Sequence, residues 1–260
     1  FTWGVAEFIA AEEMGRGRGY WWSPDGSTIV ATRVDNSPVA RWHISNPAQP
    51  EQSSHEVAYP AAGTDNAVVT LHVLSLDGGS QEIHWDRSAF PYLVDVTWFD
   101  HSSVLVTVQS RNQREVRVLL GDANNGNTVV VAADTDEHWV ELVRGVPAVL
   151  GDGRLVTCAD RDGARRLMVD GRPVTPAELQ VRSVANVGGA SSIFCANPID
   201  DPTVQHVYRW HTVTGLEQLT SEPGVHTATA SGSTVVVRSA TLDGPTSTTR
   251  VLGVKVRCAA

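Results

Sequence analysis

Glu12 and Glu13 stand side by side in the run Ala6 to Met14 (AEFIAAEEM), and adjacent carboxylates invite two chemistries. As the acid and nucleophile of a glycosidase they are poorly placed. Residues i and i+1 on a helix diverge by about 100°, whereas those two carboxyl groups must face each other across one bond. As acceptors they suit an ammonium group, which donates three hydrogen bonds and needs several acceptors, in a stretch with few compensating cations. Spacing alone leaves a plainer alternative open, a solvated surface pair.

Other chemistries lack their residues. No serine sits in a G-x-S-x-G elbow, the nearest approach being Gly189 and Ser191, so the chain carries no acyl-transfer machinery and no Ser/His/Asp triad of its own. There is no H-E-x-x-H. The nine histidines are scattered, and His206 and His211, the closest pair, suit neither one helix face nor one strand face. Cys158, Cys195 and Cys258 have no C-x-x-C spacing, which points to free buried thiols and a reducing, cytoplasmic compartment rather than a disulfide framework or thiolate zinc site. Gly15-Arg-Gly-Arg-Gly19 leads into a strand instead of opening a helix, so it fails as a dinucleotide loop. No cofactor or metal is expected. A net charge of −9 argues against a nucleic-acid partner, and no apolar run approaches the ~18 residues of a membrane span. The start at Phe1, without Met, a basic region or an apolar leader, is the mark of an excised piece of a longer chain.

The elements that must position Glu12 and Glu13 are strands. Nearly every apolar run is four to eight residues long, rich in Val, Ile, Leu and Thr, and bounded by Gly, Asp, Asn or Pro. A hairpin unit recurs. It reads Tyr20 to Ser23, a turn at Pro24-Asp25-Gly26, then Thr28 to Val34; next Val94 to Trp98, a turn over 100–103, and Val104 to Gln109; then Pro147 to Leu150 and Leu155 to Cys158. Weaker copies pair 186–189 with 193–196 and 229–232 with 235–239. Intervals near 40–50 residues are those of four-stranded propeller blades, a better fit than a β-sandwich. The first interval is longer because residues 46–66, rich in Pro, Ser, Gln and Gly, read as an extended loop. The expected fold is therefore all-β, a partial β-propeller of about five blades with the last incomplete, occupying residues 1–260 as one domain. The run Ala6 to Met14, stopped by Gly15, Gly17 and Gly19, predicts a short helical turn with Glu7, Glu12 and Glu13 on its polar side.

Four stretches resemble one family. Trp3 to Gly26, Tyr59-Pro-Ala-Ala-Gly63-Thr-Asp-Asn66, Tyr92-Leu-Val-Asp-Val-Thr-Trp98 with Arg111-Asn-Gln113, and Trp139-Val140 are together similar to the N-terminal β-propeller of dipeptidyl-peptidase IV, among the prolyl-oligopeptidase-type serine peptidases. The resemblance covers residues 3 to about 142, beyond which only blade periodicity continues. It departs from the family pattern at Gly15, where relatives carry Asp. It implies an eight-bladed ring, of which these blades are part, capping an α/β-hydrolase domain that is absent from this chain. It also implies that Glu12 and Glu13, with Arg16 at the same substrate site, bind the N-terminal ammonium of a peptide. The chain would then be a non-catalytic docking and gating module of a serine dipeptidyl peptidase, its partners the peptide N-terminus and the hydrolase domain of the same parent chain. Open blade edges would favour self-association. The alternative function is a stand-alone propeller that serves as a protein-interaction scaffold.

Overall fold

The computed structural model describes residues 1–252, which divide into two compact units, Phe1–Val140 and Glu141 onward. Cys258 lies outside the described residues.

The first unit contains β1 (Thr2–Trp3), β2 (Tyr20–Trp22), β3 (Thr28–Asp35), β4 (Arg41–Ile44), β5 (His55–Ala58), β6 (Val68–Ser75), β7 (Ser80–Ile83), β8 (Tyr92–Trp98), β9 (Ser103–Gln109), β10 (Glu115–Asp122) and β11 (Thr128–Thr135). In its first sheet β3 pairs with β6 over its whole length, Thr28 opposite Ser75 and Asp35 opposite Val68, and β6 pairs with β7. The other side of β3 is covered by two short strands in line: β1 lies against Val34 and Arg33, and β2 against Ala31, Val30 and Ile29. One blade strand is thus interrupted, and residues 4–19 leave and re-enter through the interruption. The second sheet runs β11-β10-β9-β8. Its β9 reads SVLVTVQ and is buried on both faces from Val104 to Gln109, as a continuous apolar run should be. Trp21, Val30, Leu71, Ile83, Leu93, Val104, Val106 and Leu119 form one core between the two sheets. The Trp98 indole N–H donates to the Trp21 carbonyl across that seam (3.1 Å).

The second unit contains β12 (Ala148–Val149), β13 (Leu155–Arg161), β14 (Ala164–Val169) and β15 (Arg172–Pro173), then β16 (Leu179–Gly188), β17 (Ser191–Pro198), β18 (His206–His211) and β19 (Gly215–Gln218), and finally β20 (Val225–Ser231), β21 (Thr234–Ala240) and β22 (Thr248–Leu252). These make two four-stranded meanders and one of three strands. One core joins Leu150, Val156, Leu167, Phe194, Tyr208 and Trp210, and a second joins Ile193, Cys195 and Val207 to Val235 and Val237.

Each hairpin expected from the sequence is present, and among the described residues the last sheet has three strands. Turn chemistry explains the regularity. At the first turn Gly26 takes φ +71° and donates to the Ser23 carbonyl, while Asp25 accepts from the Ser23 hydroxyl (2.6 Å) and the Ser27 N–H (3.1 Å). Those bonds, the Ser23 hydroxyl first, bring the Asp25 pKa down to about 2. The segment expected as an extended loop is a correction: residues 55–58 within it form β5, which pairs with β4 as a separate two-stranded hairpin, Arg41 opposite Ala58 and Ile44 opposite His55. Its residues are exposed or half-exposed on both faces, so no apolar alternation marked it.

Candidate functional site

The interruption between β1 and β2 is closed by Thr32, a fully buried residue of β3. Its carbonyl accepts from the Gly4 N–H (3.0 Å), its N–H donates to the Gly19 carbonyl (2.8 Å), and its hydroxyl donates to the Val5 carbonyl (2.9 Å). Gly19 also donates to the Gly4 carbonyl (3.2 Å), so the two legs of the excursion are tied at the base. A Cβ at Gly19 would sit 2.2 Å from the Thr32 hydroxyl and 2.4 Å from the Val5 carbonyl, which is why glycine stands there.

The excursion carries one helix, α1 (Phe8–Glu13), shorter than the run expected from sequence because Glu7 is extended, with ψ 165°. Ala10 is its buried face. Beyond the cap at Met14, Gly15 adopts φ +66° and reverses the chain so that the Arg16 N–H reaches the Ala10 carbonyl (2.9 Å). Glycine makes that left-handed turn without strain at the position where the sequence departs from the pattern it resembles.

The side chains of Glu12 and Glu13 project from the last turn into solvent, with neither a hydrogen bond nor an ion pair to any described residue. Arg16 is elsewhere. Its side chain is 2% exposed, and its Nη2 donates to the Glu7 carboxylate at 2.6 Å, Glu7 being 7% exposed. Its Nη1 donates to the Arg18 carbonyl (2.9 Å), and its guanidinium lies 5.9 Å from the centre of the Trp21 ring. The structure thus brings Arg16 to Glu7 and not to the glutamate pair. Glu7, expected on the polar side of the helical turn, is a buried carboxylate, corrected by the arginine nine residues along the chain that neutralises it. Neither Glu7 nor Thr32 had a sequence signal, since each matters through a partner that only folding supplies.

Asp95 of β8 faces the same excursion. It follows a bulge in the pairing of β8 with β9, between Leu93 and Asp95, a device that re-aims side chains. It keeps contact with solvent, but the protein crowded around its carboxylate pushes its pKa up. The Val96 N–H, the Arg16 and Arg18 charges and the Trp21 indole offset that only in part. The outer flank of α1 meets the β4–β5 hairpin: Phe8 packs edge-on to Tyr59 (5.1 Å), which in turn packs on Trp42 (4.5 Å). A cavity of about 210 Å³ lies beneath, walled by Glu7, Phe8, Ile9, Val39, Asn66 and Tyr92 among others. The segment Tyr59 to Asn66 is held from the next sheet, where Arg111 donates to the Thr64 carbonyl. Val140 closes the group by donating to the Gln113 carbonyl (2.7 Å). The stretches singled out in the sequence therefore meet in one unit.

Comparison with known proteins identifies the family and the fold. Residues 1–246 match the family described as "Dipeptidyl peptidase IV (DPP IV) N-terminal region". A protein of Emericella nidulans named "Probable dipeptidyl-aminopeptidase B" is 28% identical over 180 residues, 58% of this chain and 19% of that protein. One of the same name from Aspergillus oryzae is 25% identical over 269 residues, 86% of this chain and 29% of that protein. The crystal structure of Porphyromonas gingivalis dipeptidyl peptidase 4 superposes with a TM-score of 0.81 at 17% identity, covering 96% of this chain and 37% of that one. The fold is that of a partial β-propeller, and the chain spans less than a third of the length of these two curated relatives.

Proposed function

Because the chain belongs to the dipeptidyl peptidase IV N-terminal region family, we propose that it is the substrate-docking and gating propeller of a serine dipeptidyl peptidase. Glu12 and Glu13 bind the N-terminal ammonium of the peptide substrate, Arg16 being held apart from them by Glu7, and an α/β-hydrolase domain of the parent chain cuts the bond. The observation that carries this reading is the state of the glutamate pair. The two carboxylates stand exposed on a helix that has been lifted out of a blade strand, and the arginine nearest in sequence is already neutralised by Glu7. Two unneutralised carboxylates offer an ammonium the several acceptors its three N–H bonds require.

Docking at that point sets the product. With the substrate's first nitrogen held, the carbonyl two residues along is the one presented for attack, so dipeptides are released. Binding energy far from the reacting bond is spent on positioning it. The test is Glu12→Gln and Glu13→Gln in the full-length peptidase. With the hydrolase domain of the parent chain enclosing the bound ammonium, removing one partner of the charge pair costs about 2–5 kcal/mol, a fall in kcat/KM of roughly 30- to 4000-fold. Changes within about 0.5 kcal/mol would mark both residues as ordinary surface charge and return the chain to the scaffold reading.

A further inference from the structure

We infer that the buried Glu7–Arg16 ion pair is the latch that positions the docking helix, and that Glu7 keeps Arg16 from competing for Glu12 and Glu13. The inference rests on the docking role given to those two residues above. A six-residue helix cannot hold itself, since isolated helices shorter than about 12–15 residues are marginal even in favourable sequences. Its order must come from its ends. Glu7 stands immediately before the helix and Arg16 three residues after it, so their 2.6 Å contact closes the excursion above the Thr32 tie. The Glu7 side chain makes no capping bond to the helix N-terminus and is given wholly to this contact. Arg16 then spreads the anchorage, through Nη1 to the Arg18 carbonyl of the returning leg and through its face to Trp21 of β2.

Charge makes the second half of the case. Arg16 is the cation nearest the docking pair in sequence, three residues beyond Glu13, and a guanidinium is a strong ligand for carboxylates. Burying it against Glu7 removes that internal rival for the substrate amine. Arg16 and Glu7 are therefore positioning residues, which act on substrate through Glu12 and Glu13.

The experiment compares Glu7→Gln, Arg16→Met, Arg16→Lys and Glu12→Gln in the full-length peptidase. One peptide is assayed with a free and with an acetylated N-terminus, and hydrogen exchange is followed in residues 8–16. Glu7→Gln and Arg16→Met should lower the free-to-acetylated ratio of kcat/KM at least tenfold and speed exchange in 8–16 at least tenfold, with β8–β11 unaffected. Arg16→Lys, which can still reach Glu7, should keep most of both. If Glu12→Gln lowers the ratio while Glu7→Gln and Arg16→Met leave it unchanged, or lower both rates equally, the latch is overturned and docking stands. If Glu12→Gln leaves the ratio unchanged, docking falls and the positioning role falls with it.

Discussion

Thr32 shows how much of the site depends on single atoms outside it. It contacts neither glutamate, yet its N–H, carbonyl and hydroxyl hold both legs of the excursion that presents them. The opposing surface is Gly19, and Gly19→Ala would drive a methyl group into the Thr32 hydroxyl and the Val5 carbonyl. Overpacking of this kind costs about 1–3 kcal/mol. We expect Gly19→Ala to lower the unfolding free energy by that amount, read as a lower urea midpoint, and to raise KM for peptides. An unchanged midpoint would show that the base of the excursion is not the tie described. At this scale adjacency marked Glu12 and Glu13 only as two neighbouring carboxylates, and the resemblance alone suggested a docking role for them. Glu7 was not, because a carboxylate in a helical run is written identically whether it meets water or a buried arginine.

The hairpins were the most legible elements, since Pro-Asp-Gly and Asp-Gly turns between apolar runs specify them locally. The β4–β5 hairpin was illegible for the opposite reason: it buries little and carries no alternation. Edge strands form a third class. In β11, the outer strand of its sheet, Val129, Val130 and Val131 are 60%, 52% and 41% exposed. An apolar edge of this kind recruits another strand. The 260-residue chain should therefore sediment as a concentration-dependent self-associating species, and Val130→Lys should shift it toward monomer; a monomer at all concentrations would remove that role from β11.

The seam between the last two sheets carries a pH dependence. His206, at the start of β18, stacks on His226 of β20 with ring centres 5.4 Å apart. His226 is engaged at both ring nitrogens, by the Ser239 hydroxyl (2.7 Å) and the Glu222 carbonyl (2.8 Å). Burial, and next the neighbouring His226 charge, hold the His206 pKa below its ordinary 6.5, while Glu222 and Asp201 pull it back only in part. A depressed histidine pKa means the unfolded chain binds the proton more readily. Its stabilising contribution is present above about pH 6.5 and is lost as pH falls through the lower folded value. The urea midpoint should thus drop between pH 7.5 and pH 5, and drop less in His206→Gln. An equal drop in both proteins would place the acid sensitivity elsewhere.

At the scale of the whole molecule, blade periodicity was readable because each meander is written in local turns, whereas the division at Val140 was not, since it depends on contacts between distant strands. The acidic balance, −9, lies partly in turn aspartates such as Asp25, Asp100 and Asp152, which accept backbone N–H bonds that serve folding. Two carboxylates on one lifted helix have no such partner, and the functional account stands on them. The most direct measurement is the kcat/KM of the full-length peptidase for one peptide, free and N-acetylated, with wild type and the Glu12→Gln/Glu13→Gln double variant. Docking through the glutamate pair should give a strong wild-type preference for the free amine, which declines as pH rises past the amine's pKa of about 8 and collapses in the double variant. Equal rates on both peptides in wild type, or a preference that survives in the variant, would contradict it.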